Sequence, residues 1–167
     1  MRTRFVPRPV PSSAARDDHD ELTASLRRLA LFAGIDDDEL DRFVTACDVT
    51  TADPGQVVQA QDVPVRWWHV VLSGHAVVRR DGTPLGLLTS GDSWSEHSLL
   101  NGLRSSIEVV ALSPLTLVTL DRRRFFNVPE QHPVLAGRLV ARSAASPDRL
   151  ALPVLRALAS FGQADPA

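Results

Sequence analysis

The side chains best suited to binding an anion lie in one stretch, residues 88–112. An apolar run ends at Gly91 and Asp92, and a short amphipathic segment, residues 94–100, precedes a turn at Gly102 and a β-branched run. This order predicts a short helix between two strands, and the free N–H groups at the start of such a helix attract anions.

The same stretch resembles the phosphate-binding cassette of the cyclic nucleotide-binding domain family, which includes bacterial cAMP-receptor regulators, kinase regulatory subunits and gated channels. That cassette reads approximately Gly-Asp/Glu-x-Phe-Gly-Glu-x-Ala-Leu-Leu, then a variable turn and Arg-Ser/Thr-Ala-Thr-Val-x-Ala. The positions that fit it are Gly91, Asp92, Trp94, Glu96, Ser98, Leu99, Leu100 and Ala111. The resemblance implies a mainly β fold, an eight-stranded antiparallel jelly-roll-like β-barrel with N-terminal and C-terminal helices.

The resemblance also implies roles for individual residues. In the family, a cassette glutamate accepts a hydrogen bond from the ribose 2′-OH. Helix N–H groups and an arginine hold the cyclic phosphate, because a guanidinium offers a forked donor to an anion. Glu96 matches the glutamate, and Arg104 is the arginine candidate. The resemblance makes six residues the candidates for ligand binding: Glu96, His97, Ser98, Arg104, Ser105 and Ser106. No other cofactor is expected, and cAMP or cGMP is the possible ligand.

Three departures from the family pattern change this expectation. Ser95 replaces a glycine, and its side chain narrows the approach of the backbone to a phosphate. The spacing from Glu96 to Arg104 is one position short, and an ungapped match puts Ser105 at the arginine position, which on a strand faces the other way. Glu108 replaces a threonine beside the phosphate, where a carboxylate is costly unless paired.

Two arrangements of Arg104 remain open at this point. Arg104 could neutralise Glu96 or Glu108, which would fill the pocket with protein charge. Alternatively, a shorter loop with a bulge before Val109 could direct Arg104 into the pocket. The departures favour a cyclic nucleotide-binding fold whose ligand pocket is altered or lost.

The rest of the chain supplies the elements that would position this stretch. Residues 1–19 contain many Pro and Arg residues and predict a disordered arm. Helical periodicity covers residues 20–47, where acidic residues 36–41 are expected to cap a helix rather than bind metal. About eight short runs between turn signals predict a β-roll over residues 48–120, with one of Trp67 and Trp68 in its core.

Helical patterns return after the roll. A short helical turn is predicted at residues 121–126, with Phe125 and Phe126 packed on the barrel, and a helix begins at about Pro133. Its apolar stripe contains Val134, Leu135, Leu139 and Val140, with Ala144 as a further candidate. Residues 146–167 are expected to add a helix over residues 150–161 and a frayed tail.

Length and composition narrow the class of protein. A chain of 167 residues is expected to form one domain. A net charge of −2 gives no general attraction to nucleic acid or to an anionic membrane. No apolar run could span a bilayer, and the N-terminus lacks the apolar core of a secretory signal, so we expect a cytoplasmic location. The single cysteine, Cys47, excludes an internal disulfide and is expected to be a small buried hydrophobe.

Four functional hypotheses compete. The favoured one is a non-enzymatic regulatory or interaction module that contacts a protein partner or forms a homodimer through its C-terminal helices or its arm. The alternative is a cAMP- or cGMP-responsive sensor that switches a partner through those helices. DNA binding is not expected, since no basic helix pair follows residue 145. Catalysis is not expected either, because His69, His75 and His97 lack a metal-ligand pattern and should be exposed or hydrogen-bonded.

Overall fold

The computed structural model describes residues 15–145, which form eight strands and five α-helices. The helices are α1 (Ala15–Arg27), α2 (Asp37–Ala46), α3 (Glu96–Asn101), α4 (Arg122–Gln131) and α5 (Pro133–Ala145), with a 3-10 turn at Ala30–Phe32. The strands are β1 (Asp48–Ala52), β2 (Val57–Gln59), β3 (Trp67–Ser73), β4 (Ala76–Arg80), β5 (Thr83–Leu88), β6 (Ser93–Trp94), β7 (Glu108–Ala111) and β8 (Leu115–Asp121). Among the described residues, no helix is long and apolar enough to cross a membrane.

The strands form two four-stranded antiparallel sheets that make up the roll. The first has the order β1-β8-β3-β6 and the second has the order β2-β7-β4-β5. Because side chains alternate along a strand, the first sheet contributes to two separate apolar cores. The core inside the roll includes Val71, Trp94 and Leu117, whereas the core under the helices includes Trp68, Val118 and Phe125. The structure confirms the mainly β jelly-roll fold with flanking helices.

Several boundaries differ from the sequence prediction. Helix α1 begins at Ala15, so the helical part starts five residues before the predicted residue 20. Trp94 was predicted as the first residue of the cassette helix, but it belongs to the two-residue strand β6, whose backbone pairs with His69 and Val70 of β3. The predicted short turn after β8 is the full helix α4. The remainder of the predicted arm and the predicted helix over residues 150–161 lie outside the described residues.

The N-terminal helices confirm the capping interpretation of the acidic run. The Asp36 side chain accepts a hydrogen bond from the Glu39 backbone N–H at 2.8 Å, which is the usual role of Asp before a first helical turn. Leu40, Phe43 and Val44 are buried, whereas Cys47 is only half-buried after the helix end. Cys47 therefore lies at the edge of the helical core rather than inside it.

Helices α4 and α5 cover the first sheet, but with fewer residues than predicted. Phe125, Leu135 and Leu139 are buried in the helical core. Val134 and Val140 of the apolar stripe are 46% and 61% exposed, and Phe126, which was expected to pack on the barrel, is 43% exposed beneath the guanidinium of Arg122. The outer face of α5 therefore presents apolar side chains that the other described residues leave exposed.

Candidate functional site

The backbone of the cassette consists of β6, a left-handed residue and the short helix α3. Ser95 precedes α3 with φ 82° and ψ −2°, and Gly102 ends the helix with φ 64°. Glycine adopts such angles freely, whereas a residue with a Cβ is strained by about 1–2 kcal/mol. The cassette therefore keeps a conformation that suits glycine at the position where this chain carries Ser95.

Glu96, the residue that matches the family's ribose-binding glutamate, is fully buried inside the protein. Its Oε1 accepts a hydrogen bond from Nε1 of Trp68 at 2.8 Å and another from Oγ of Ser93. Hydrogen bonds to a carboxylate are stronger than those between neutral groups, so these contacts hold the side chain firmly. The Glu96 carboxylate is thus bound to the protein's own donors on the helical side of the first sheet.

A second hydrogen-bonded contact connects this carboxylate to the C-terminal helix. Arg142 of α5 donates from one guanidinium nitrogen to Oγ of Ser93 at 3.1 Å and to the carbonyl of Gly91 at 3.2 Å. Ser93 in turn donates to Glu96. A continuous network therefore runs from α5 through the start of the cassette to Glu96.

Arg104 takes neither of the two arrangements considered from the sequence. It is exposed, and its Nε donates to the carbonyl of Asp62 at 2.6 Å. Its backbone forms an isolated β-bridge with Pro64. Glu108 lies opposite Arg79 of β4, on the face of β7 away from buried Val109. Arg104 therefore ties the loop after the cassette to the loop before β3, and the pairing with Glu96 or Glu108 was wrong.

Ser105 and Ser106 are also held by protein contacts. Ser105 is buried, and its hydroxyl donates to the carbonyl of Ile107 at 2.8 Å. Arg80 donates from Nε to the Ser106 carbonyl at 2.9 Å and from a terminal nitrogen to the Ser106 hydroxyl at 2.7 Å. Sequence reasoning missed Arg80, which ends β4 and reaches the cassette only because β4 pairs with β7.

The remaining candidates lie on α3 itself. Ser98 is buried, while His97 is half-buried with its Nδ1 3.4 Å from the Asn101 side chain. Asn101 also donates to the carbonyl of His97 at 2.8 Å. The six candidates thus divide between the helix α3, with inward-facing Glu96, and a loop in which Arg104 faces solvent.

The interior of the roll contains polar atoms that have no hydrogen-bond partner. His69 is fully buried and stacks on Trp94, with ring centroids 4.5 Å apart and an interplanar angle of 2°. Within the described part of the chain, neither nitrogen of His69 has a hydrogen-bond partner, and the same holds for Nε1 of Trp94 and Oγ1 of Thr50. Burial lowers the pKa of His69 to about 3, because the charged imidazolium is poorly solvated there. The prediction that this histidine is exposed or hydrogen-bonded was wrong.

Comparison with known proteins agrees with this architecture. The family model described as "Cyclic nucleotide-binding domain" matches residues 49–132, which is half of the chain. The chain therefore belongs to the cyclic nucleotide-binding domain family. A search of curated protein sequences finds no match.

Several solved structures share the fold. A regulatory subunit of a cAMP-independent protein kinase A from Trypanosoma brucei has a TM-score of 0.69 at 20% identity, covering 83% of this chain and 51% of that one. The Thermus thermophilus catabolite activator protein has a TM-score of 0.65 at 27% identity, and the match covers 78% of this chain and 63% of that protein. A cAMP-binding acyltransferase from Mycobacterium smegmatis has a TM-score of 0.61 at 28% identity, and the match covers 74% of this chain and 40% of that enzyme. This chain spans about half the length of the kinase regulatory subunit.

Proposed function

We propose that this chain is a non-catalytic interaction module that keeps the cyclic nucleotide-binding fold but no longer binds a cyclic nucleotide tightly. The observation that carries the proposal is the state of Glu96. Its carboxylate is fully buried and accepts hydrogen bonds from Trp68 and Ser93. A ribose hydroxyl would have to reach a fully buried carboxylate that two protein donors already hold, and disturbing a buried hydrogen bond is costly.

The position of Arg104 supports the same proposal. A cyclic phosphate is recognised best by a guanidinium that can present two donors to it in a site shielded from water. Arg104 is exposed and its Nε is already engaged with the Asp62 carbonyl. Arg80 reaches the cassette, but two of its donors, Nε and one terminal nitrogen, are engaged with Ser106. The arginines nearest to the cassette loop thus act as structural ties.

The outer face of α5 is the surface that we assign to a protein partner or to a second copy of the chain. Its exposed residues are small or apolar: Val134, Gly137, Val140, Ala141 and Ala144. A helix face of this kind can pack closely against another helix. Because the opposite face of α5 is already buried against the core through Leu135 and Leu139, the exposed face is available for association.

The test of the ligand proposal is calorimetric titration of the purified chain with cAMP and with cGMP, up to about 1 mM. We expect no saturable heat and no change in melting temperature. The control is Glu96→Gln, which keeps an oxygen acceptor in place while removing the charge. Micromolar binding to the wild type that this substitution abolishes would overturn the proposal.

The interaction surface is tested by light scattering after size exclusion. We expect the wild type to dimerise or to retain a partner, and Val140→Asp to abolish that association. Leu87→Asp is the matched control, since Leu87 is also 61% exposed but lies on β5, away from α5. A wild-type chain that is monomeric and retains no partner would contradict the assignment of α5.

A cAMP- or cGMP-responsive sensor is the second candidate, and the Arg142 contacts are the observation that favours it. Because Arg142 joins α5 to Gly91 and Ser93, a ligand that displaced Glu96 would also disturb α5. That coupling is what a two-state switch of the C-terminal helices requires. The calorimetric titration separates the two candidates, because only the sensor predicts binding.

A further inference from the structure

A groove with a volume of about 1240 Å³ lies between α1 and the outer side of the first sheet. Its floor is apolar and contains the half-buried residues Leu22, Cys47, Val49 and Leu72. These side chains pack against the helical core only in part, so the groove leaves apolar surface in contact with water. Burying such surface stabilises a complex roughly in proportion to its area.

The chain itself continues from the edge of this groove. Arg142, in the last turn of α5, lines the groove together with Gly91, to whose carbonyl it donates. Helix α5 ends at Ala145, and 22 residues follow. Four extended residues span roughly 13 Å, so a segment that begins at about residue 149 can enter the groove without strain in the connection.

The composition of that segment suits the groove. Residues 147–161 carry six large apolar side chains, Leu150, Leu152, Val154, Leu155, Leu158 and Phe161. Arg149 and Arg156 are interspersed among them, and Asp148 is the segment's one acid. The rim of the groove carries two cations, Arg28 and Arg142, and more carboxylates than cations: Asp18, Glu21, Asp92 and Asp48, of which Asp48 is already paired with Arg124. Apolar residues on an apolar floor and arginines beside carboxylates make the two surfaces complementary.

We propose that residues 147–161 dock in the groove between α1 and the first sheet as an intramolecular cover. The docked segment hides the apolar floor and holds α1 and α5 together. The N-terminal arm is the other segment that could reach the groove, since it leads into α1. Its first 14 residues include three arginines and three prolines but few large apolar side chains, so they match the rim but not the floor.

The only cysteine of the chain provides the test, because Cys47 lies in the floor of the groove. The measurement is the rate at which a small aromatic disulfide reagent modifies Cys47 in the full chain, in a chain without residues 147–167 and in a chain without residues 1–14. We expect removal of residues 147–167 to accelerate modification about tenfold, as for a cover that is docked about nine-tenths of the time. Removal of residues 1–14 should leave the rate unchanged.

Point variants control for the case in which the deletion accelerates modification by disturbing the fold. The double variant Leu155→Asp/Leu158→Asp should accelerate the modification of Cys47 as the deletion does. Gln163→Asp, which lies outside the apolar run, should leave the rate unchanged. Equal rates in the full chain, the deletion and the double variant would overturn the proposal, as would acceleration only on removal of residues 1–14. Protection that disappears on dilution would also overturn it, because the cover would then come from a second copy. The nucleotide titration has no bearing on these outcomes.

Discussion

Trp68 and His69 are neighbours on β3, and their side chains point to opposite faces of the same sheet. On the helical face, Trp68 donates to Glu96, which also accepts from Ser93, and Ser93 accepts from Arg142. On the interior face, His69 is equally buried, but both of its nitrogens are without a partner among residues 15–145. These two neighbouring side chains therefore bury their polar atoms at very different cost.

The difference between Trp68 and His69 shows which buried polar groups the protein satisfies with hydrogen bonds. A buried polar group that lacks a partner costs roughly 1–3 kcal/mol, while a satisfied network contributes to stability and fixes its members in one geometry. The helical face fixes the cassette and α5 relative to β3. The interior face tolerates three residues with unpartnered polar atoms, His69, Trp94 and Thr50. On the helical side, among the described residues, Oε1 of Glu39 and Nδ1 of His132 also lack a hydrogen-bond partner, so the network satisfies only the part of that side around Glu96.

The largest expected effect comes from breaking the helical face at Glu96. Glu96→Ala removes the acceptor of Trp68 and Ser93 and leaves a cavity, so we expect the free energy of unfolding to fall by about 3 kcal/mol. Urea unfolding followed by tryptophan fluorescence measures it. Glu96→Gln, which retains one acceptor oxygen, should lose about 1 kcal/mol. An alanine variant as stable as the wild type would show that the network contributes nothing.

The contrast between the two faces explains what the sequence could and could not predict. Local signals were sufficient for the Asp36 cap, the position of the cassette and the start of α5 at Pro133. The hydrogen bond between Trp68 and Glu96 joins residues 28 positions apart, and the contact between Arg142 and Ser93 joins residues 49 apart. Such contacts depend on strand register and helix docking, which local periodicity does not determine.

The same reason accounts for the errors at His69 and Arg104. His69 was judged by the absence of a metal-ligand pattern, but its burial follows from its place in a central strand that pairs with both β6 and β8. The position of Arg104 was predicted from its spacing along the chain from Glu96. Its contact, the Asp62 carbonyl, belongs to a loop 42 positions earlier.

The second prediction concerns the interior face and its dependence on pH. Burial lowers the pKa of folded His69 to about 3 from an ordinary 6.5, so the unfolded chain binds a proton first as the pH falls. The contribution of neutral His69 to the free energy of unfolding is fully present above about pH 6.5. It falls by roughly 1.4 kcal/mol per pH unit between about pH 6.5 and about pH 3. When the pH is lowered from about 7 to about 5, the free energy of unfolding should therefore fall by about 2 kcal/mol less in His69→Phe than in the wild type.

The control for this prediction is Thr50→Val, which removes an unpartnered buried hydroxyl but no titrating group. It should raise stability by about 1 kcal/mol at both pH values, leaving the wild-type pH dependence intact. The pKa of His132 is also lowered by burial, but that residue is present in every variant and cancels from the comparison. Parallel pH profiles for the wild type and His69→Phe would mean that His69 is not buried in neutral form.

The smallest effect is expected at Ser95, where the helical face is strained rather than unsatisfied. Its φ of 82° is easily adopted by glycine, and its side chain makes no capping hydrogen bond to α3. Ser95→Gly should therefore raise the free energy of unfolding by about 1 kcal/mol, because relief of the left-handed strain exceeds the entropy that glycine gains when unfolded. Ser95→Ala keeps the Cβ and should leave stability unchanged in the same urea experiment. If both variants gained equally, the hydroxyl and not the backbone would be the source of the cost, and the network beside Ser95 would be less well satisfied than its geometry indicates.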